Sequence, residues 1–170
     1  MEDPAHKFQK AWDSLLMNNT QNAALYIRQA ATIVNIEVTR AQKEMHKELQ
    51  SLSQELIALS KKVKDGKVTT TSGLEKTFSK TEKVLARHKL KKAELYLSLV
   101  HFPNCAYALE AAARHILYSQ TWSEQKLSDE SVMKLKGIQN EMLTMIDSET
   151  YAKKRLVAVK KDLEFFTPGL

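Results

Sequence analysis

The stretch IRQAATIVNIEVTRAQKEMHKELQSLSQELIALSKKV, residues 27–63, decides how this chain is read. Its apolar side chains fall at Ile27, Ala31, Val34, Val38, Ala41, Met45, Leu49, Leu52, Leu56, Leu59 and Val63, with no Gly or Pro among them. Steps of three and four put them on one face of a helix. At 1.5 Å per residue, a single helix over this span would extend on the order of 60 Å, more than the width of a small domain. Such a rod needs an apolar partner along its whole length, and the rest of the chain is read as the source of that partner. The alternation slips once, at Met45 to Leu49 to Leu52, which favours a bundle helix that changes neighbours over a strict coiled coil.

Working outward, residues 3–17 form a short first helix with Phe8, Ala11, Trp12, Leu15 and Leu16 on one side. The polar run Asn18-Asn19-Thr20-Gln21 interrupts it, and Asn19 or Thr20 suits the N-cap of the long second helix, expected over 21–64. Residues 64–73 then bring Gly66, three consecutive Thr and Ser72-Gly73, a composition that cannot bury itself and reads as an exposed loop. Ser72 with Glu75 three positions on gives a capping-box pattern for a third helix. That helix carries Leu74, Phe78, Leu85, His88, Leu95 and Leu99 along one side and ends at Phe102-Pro103-Asn104. The alanines at 106, 108 and 111–113 allow close backbone approach, so residues 104–120 read as a buried fourth helix. After a loop over 122–127, Ser128 with Asp129 and Glu130 opens a fifth, expected over 129–166. Its series is Leu135, Ile138, Met142, Ile146, Ala152, Leu156, Val159, Leu163 and Phe166, and it closes at Thr167-Pro168-Gly169.

The expectation is an all-α antiparallel bundle of about five helices, two of them long, in one domain of 170 residues. The 64–73 loop would separate two hairpin-like halves. These halves are loosely alike: Trp12-x-Ser14-Leu15, a turn and Asn22 to Ala31 parallel Tyr96-x-Ser98-Leu99, a turn and Asn104 to Ala113. Either an old duplication or chance produces such a likeness.

Composition narrows the class further. Hydrophobic residues at 43% and charged residues at 27% belong to a folded chain rather than a disordered one. Four Gly and three Pro leave little material for a many-turned β fold. The single Cys105 excludes an internal disulfide and fits a reducing compartment. No apolar run reaches the length of a membrane span and no signal-peptide pattern opens the chain, so the expected location is cytoplasmic, with the nucleus as the alternative. A formal net charge of +6 permits an acidic partner without requiring one.

The residues that could carry chemistry lack the necessary spacing. His46 lies between Glu44 and Glu48, but no pair of Glu-x-x-His segments, no His-Glu-x-x-His and no paired Cys is present. His88 falls on the apolar face of its helix and reads as a core or boundary residue. Cys105 has His101 and His115 near it in sequence, yet helix geometry alone brings neither to the sulfur, and a small buried Cys in an alanine seam is the simpler account. Arg40 and His46, six residues apart on a continuous helix, would be about 240° apart and point away from each other. No Gly-rich phosphate loop occurs. The expectation is a non-enzymatic chain with no cofactor and no metal.

Two surfaces are candidates for binding. If the two long helices carry more apolar edge than the chain can cover, Met45, Leu49, Leu52 and Leu56 with Leu156, Val159, Leu163 and Phe166 would meet a partner helix or a second copy of the chain. Basic side chains form two outward rows, one of Lys83, Arg87 and Lys91 and one of Lys153, Lys154, Lys160 and Lys161. These rows are either wet helix faces or a contact for an anionic membrane surface. Aromatic residues are not interleaved with them in sequence, which argues against nucleic acid, and tubulin is permitted by charge alone. The expected function is a scaffold, adaptor or complex subunit, with anionic lipid binding as the alternative.

Overall fold

The computed structural model describes residues 3–167 and contains seven α-helices and no strand among them. They are α1 (Pro4–Leu16), α2 (Thr20–Arg40), α3 (Lys43–Lys64), α4 (Ser72–Ser98), α5 (Phe102–Trp122), α6 (Asp129–Ser148) and α7 (Lys153–Glu164). The all-α class holds, but both long helices of the sequence reading are hairpins. The span 21–64 breaks at Ala41 and Gln42, whose backbones are extended at ψ 155 and ψ 149. Thr32, Ile33, Val34, Ile36, Val38 and Thr39 precede the break, and such β-branched residues weaken helix propensity where α2 ends. The span 129–166 breaks after Ser148, where Glu149 takes a left-handed φ of 51 and the Thr150 amide bonds back to the Met145 carbonyl. The expected end of that span reaches Pro168 and Gly169, which lie outside the described residues.

The chain divides into two units, Met1–Thr81 and Glu82–Leu170, and the division falls inside α4 rather than at the 65–71 loop. In the first unit the Asp3 carboxylate accepts the Ala5 amide and Pro4 occupies the first turn, so α1 is capped and preset. The Asn19 side chain accepts the Asn22 amide and starts α2 in the same way. α2 packs on both α1 and α3. Ser53 and Ser60 of α3 donate to the Ala31 and Ala24 carbonyls of α2 at 3.1 and 2.7 Å, which fixes the antiparallel register of the hairpin. Residues 72–81 close the unit: Phe78 stacks on Phe8 with ring centroids 4.1 Å apart, and the Trp12 indole donates to Glu75. Lys80 pairs with Glu55 of α3.

In the second unit, Ala86, Leu90 and Ala93 of α4 join a core with Cys105, Leu109, Ala112 and Ile116 of α5, Leu135, Ile138 and Met142 of α6, and Leu156, Val159 and Leu163 of α7. Arg155 of α7 forms a two-pronged ion pair with Glu141 of α6. Inside the core the Glu82 carboxylate lies 2.7 Å from His115 Nδ1; a carboxylate accepts, so the imidazole donates through that nitrogen.

The two units follow one plan, and the shared register is 82 residues. Buried Pro4, Phe8 and Ala11 of α1 match buried Ala86, Leu90 and Ala93 of α4. Buried Ala23, Ala24, Ile27, Ala30, Ala31, Val34 and Glu37 match buried Cys105, Ala106, Leu109, Ala112, Ala113, Ile116 and Ser119. Even the corner is repeated. Asn18 and Val100 are both left-handed, at φ 57 and φ 60, and the Asn19 and His101 amides each reach the Ser14 and Tyr96 carbonyls, respectively, at 2.8 Å. The 2-residue link before α3 becomes residues 123–128 before α6, after which Leu49, Leu52 and Leu56 match Leu135, Ile138 and Met142 in the core. Glu55 and Glu141 take matching places and each holds the fourth helical segment of its unit. The sequence likeness sets Trp12 against Tyr96; in the structure that end shifts by two residues and Trp12 matches Glu94.

Candidate protein-interaction surface

The apolar residues expected to meet a partner are inside the units. Met45, Leu49, Leu52 and Leu56 are buried between α3 and its neighbours, and Leu156, Val159 and Leu163 have no exposed surface. The corner at Ala41-Gln42 explains the first group, since folding the rod in half lets each half cover the other. Phe166 is half-buried against the second core, and beside it Phe165 is 77% exposed.

The basic residues scatter. Lys83 lines a cavity of about 310 Å³ with Ile116, Gln120, Lys126, Leu127 and Phe166. Arg87 is half-buried, and Lys91 lies 3.4 Å from Glu94. On α7, Lys153, Lys154 and Lys161 are exposed, while Lys160 pairs with Glu164. His88 is fully buried, as its apolar face implied, and the His46 ring contacts the Ala41 carbonyl at the α2–α3 corner. Cys105 is also fully buried, and burial pushes its thiol from an ordinary 9.0 up to about 11, with Lys160 pulling weakly the other way. A thiol held in that state is no nucleophile at neutral pH.

A more organised surface is a groove between α4 and α5, with a volume of about 190 Å³. Lys89, Lys92 and Tyr96 line it from α4, and Asn104 and Tyr107 from α5. No acidic side chain lines it. Tyr107 is 56% exposed and stands close enough to Tyr151 that, after burial, it contributes to raising the Tyr151 hydroxyl above its ordinary value. Sequence order concealed this site, because Lys89 and Lys92 lie on α4 while Asn104 and Tyr107 lie beyond the corner. Here basic and aromatic side chains do share one groove, although they do not alternate along the chain.

The register between the units supplies the missing signal. Lys7, Lys10 and Asn22 of the first unit stand where Lys89, Lys92 and Asn104 stand in the second. Lys10 Nζ lies 5.7 Å from the centroid of the Tyr26 ring, so α1 and α2 also bring a lysine and an aromatic face together. Exposed apolar positions repeat as well: Met17 with Leu99, Leu25 with Tyr107, and Ile57 with Leu143. Aligning residue n with n + 82 in the sequence pairs these positions; a two-residue slip in α1 conceals the pairing.

No family model matches the chain, and no curated protein or solved structure matches it either. No described helix is long and apolar enough to cross a membrane.

Proposed function

We propose that the chain is a non-enzymatic protein-interaction module, a scaffold or complex subunit whose two units each present the face of their first two helices to a partner protein. One observation carries this reading. Large apolar side chains stay exposed at matching positions of both units, with Met17 at 79% and Leu99 at 53%, Leu25 at 50% and Tyr107 at 56%. Each core is complete without them, so internal packing gives no reason to keep them apolar. Around Tyr107 the mixture of an exposed ring with cationic and amide groups is that of a recognition patch, in which an aromatic anchor is rimmed by polar contacts.

The test replaces Met17, Leu25, Leu99 and Tyr107 with Ser in the full chain and compares association with the unchanged protein. Light scattering measures self-association, and quantitative affinity capture measures other partners. The expected result is unchanged helicity with loss of association. Association that survives all four replacements would sink the assignment of this face.

A further inference from the structure

The outer face of α7 is not explained by internal packing. Leu156, Val159 and Leu163 turn into the second core and have no exposed surface. At about 100° per residue, Lys154, Ala158, Lys161 and Phe165 lie on the opposite side of the helix. All four are exposed, and exposed Val157 stands at their margin. Phe165 keeps helical dihedrals at the end of α7, φ -61 and ψ -30, so it stays in this line. Its ring is 77% exposed and meets Phe166 edge-on, with centroids 5.7 Å apart. Phe166 packs on the core and so anchors the outer ring.

The charges of α7 are as one-sided as its packing. Both of its acids are taken, Asp162 by Lys134 of α6 at 3.3 Å and Glu164 by Lys160. Arg155 pairs with Glu141. Lys153, Lys154 and Lys161 are exposed and make no hydrogen bond or ion pair with any described residue. Lys153 and Lys154 are also the first two residues of the helix, whose first turn holds no acid and whose N-cap Ala152 gives no side-chain bond. The positive end of the helix dipole repels cations there, so these two lysines work against the stability of α7. Charges that oppose their own helix and pair with nothing in the chain point to an anion outside it.

We infer that α7 docks flat on an anionic lipid surface, with its lysines among the headgroups and Phe165 at the acyl boundary. This adds a second binding face to the partner-protein face and shares no residue with it. The face is convex, the outside of one helix, and has no slot for a side chain of a protein partner. In a protein recognition patch an apolar centre is ringed by polar contacts. Here lysine and apolar side chains alternate along one line. That alternation suits a membrane interface, where lysine stems lie along the apolar boundary and raise their ammoniums to phosphate level. One exposed ring is no stacking platform for nucleic-acid bases. A helix of 12 residues with a single inserting ring gives a shallow, reversible attachment, and the lysines make it salt-dependent.

The test is co-sedimentation of the full chain with phosphatidylcholine vesicles containing about one-third phosphatidylserine at low salt, beside vesicles of phosphatidylcholine alone. Labelled oligoglutamate and oligothymidylate are titrated in parallel by fluorescence anisotropy. The expected result is binding to the phosphatidylserine vesicles alone, weakened by added salt. Changing Lys153, Lys154 and Lys161 together to Gln should weaken it about a hundredfold, at about fivefold per lysine. Phe165→Ser should weaken it about tenfold. The triple lysine variant should melt no lower than the unchanged chain, because two of its three cations leave the positive end of the helix. A control changes Lys43, Lys61 and Lys136 to Gln, removing the same charge from exposed, unpaired positions elsewhere. It should weaken binding less than about threefold. Equal losses in the control and the α7 variant would overturn the site, because only net charge would then matter. No binding to phosphatidylserine vesicles at low salt, or binding of oligoglutamate or oligothymidylate in their place, would overturn the lipid assignment.

Discussion

Replacing Val100 should stabilise the protein. Val100 sits at the corner between α4 and α5 with φ 60, in the left-handed region. There an L-residue brings its Cβ against the following carbonyl, at a cost of roughly 1–2 kcal/mol, and a β-branched side chain is at the unfavourable end. The side chain is 61% exposed, so little packing is lost on removing it. The matching corner shows a better solution, since Asn18 holds the same conformation at φ 57 and asparagine tolerates it. Val100→Asn is therefore expected to raise unfolding free energy by about 1 kcal/mol. Val100→Gly relieves more strain but loosens the unfolded chain by roughly 0.5–1 kcal/mol, leaving a similar net gain. The reciprocal change Asn18→Val should cost about 1 kcal/mol. Urea unfolding followed by circular dichroism reads all three as midpoint shifts at unchanged slope. A neutral or destabilising Val100→Gly, together with a neutral Asn18→Val, would show that the corner carries no strain and that the shared turn geometry is wrong.

Three other consequences follow from named contacts. Glu82 and His115 hold each other in the second core, so His115→Ala should cost about 3–5 kcal/mol, whereas the double change Glu82→Leu with His115→Ile should recover most of that in urea unfolding. Ile33 already fills the matching place in the first unit. Cys105 has a folded-state value raised by burial, so its contribution is complete below the ordinary 9.0 and is lost as pH rises toward about 11. A shift of that size bounds the loss at about 3 kcal/mol. Cys105→Ala, which copies Ala23, should flatten the alkaline limb of a stability–pH curve relative to the unchanged chain. Glu141 is shifted the other way, held low first by its hydrogen bond from Arg155. Its contribution is present above the ordinary carboxylate range and lost as pH falls through the lowered value. Arg155→Ala should thus remove up to about 1 kcal/mol at neutral pH and leave little difference in acid.

How much of this was legible in the sequence depends on which physical signal each feature leaves. Helical class, the corner near residue 19, the buried Cys105 and the buried His88 follow from periodicity and from turn-forming residues, and the structure has them. The second corner, expected near residue 103, lies at residues 99–101 instead, because Pro103 fits the first turn of α5 rather than ending α4. The Ala41-Gln42 break leaves no such mark. No Gly or Pro stands there, the apolar series runs through it unbroken, and only the β-branched run from Thr32 to Thr39 warns of a helix losing strength. Periodicity reports which face of a helix is apolar, and a hairpin folded from one amphipathic rod has the same face pattern as the rod. The inference from unpaired length to an exposed strip at Met45, Leu49, Leu52 and Leu56 failed for that reason.

The surface that replaces that strip was hidden by a different ambiguity. A groove between two helices draws its residues from either side of a corner, so Lys89 and Asn104 look unrelated along the chain. The shared register eases the ambiguity because the chain then contains its own comparison. At buried positions both copies answer to the same packing problem, and agreement such as Ala30 with Ala112 says only that two helices approach closely there. At exposed positions packing is silent, and the agreement of Asn22 with Asn104 has no account in the cores.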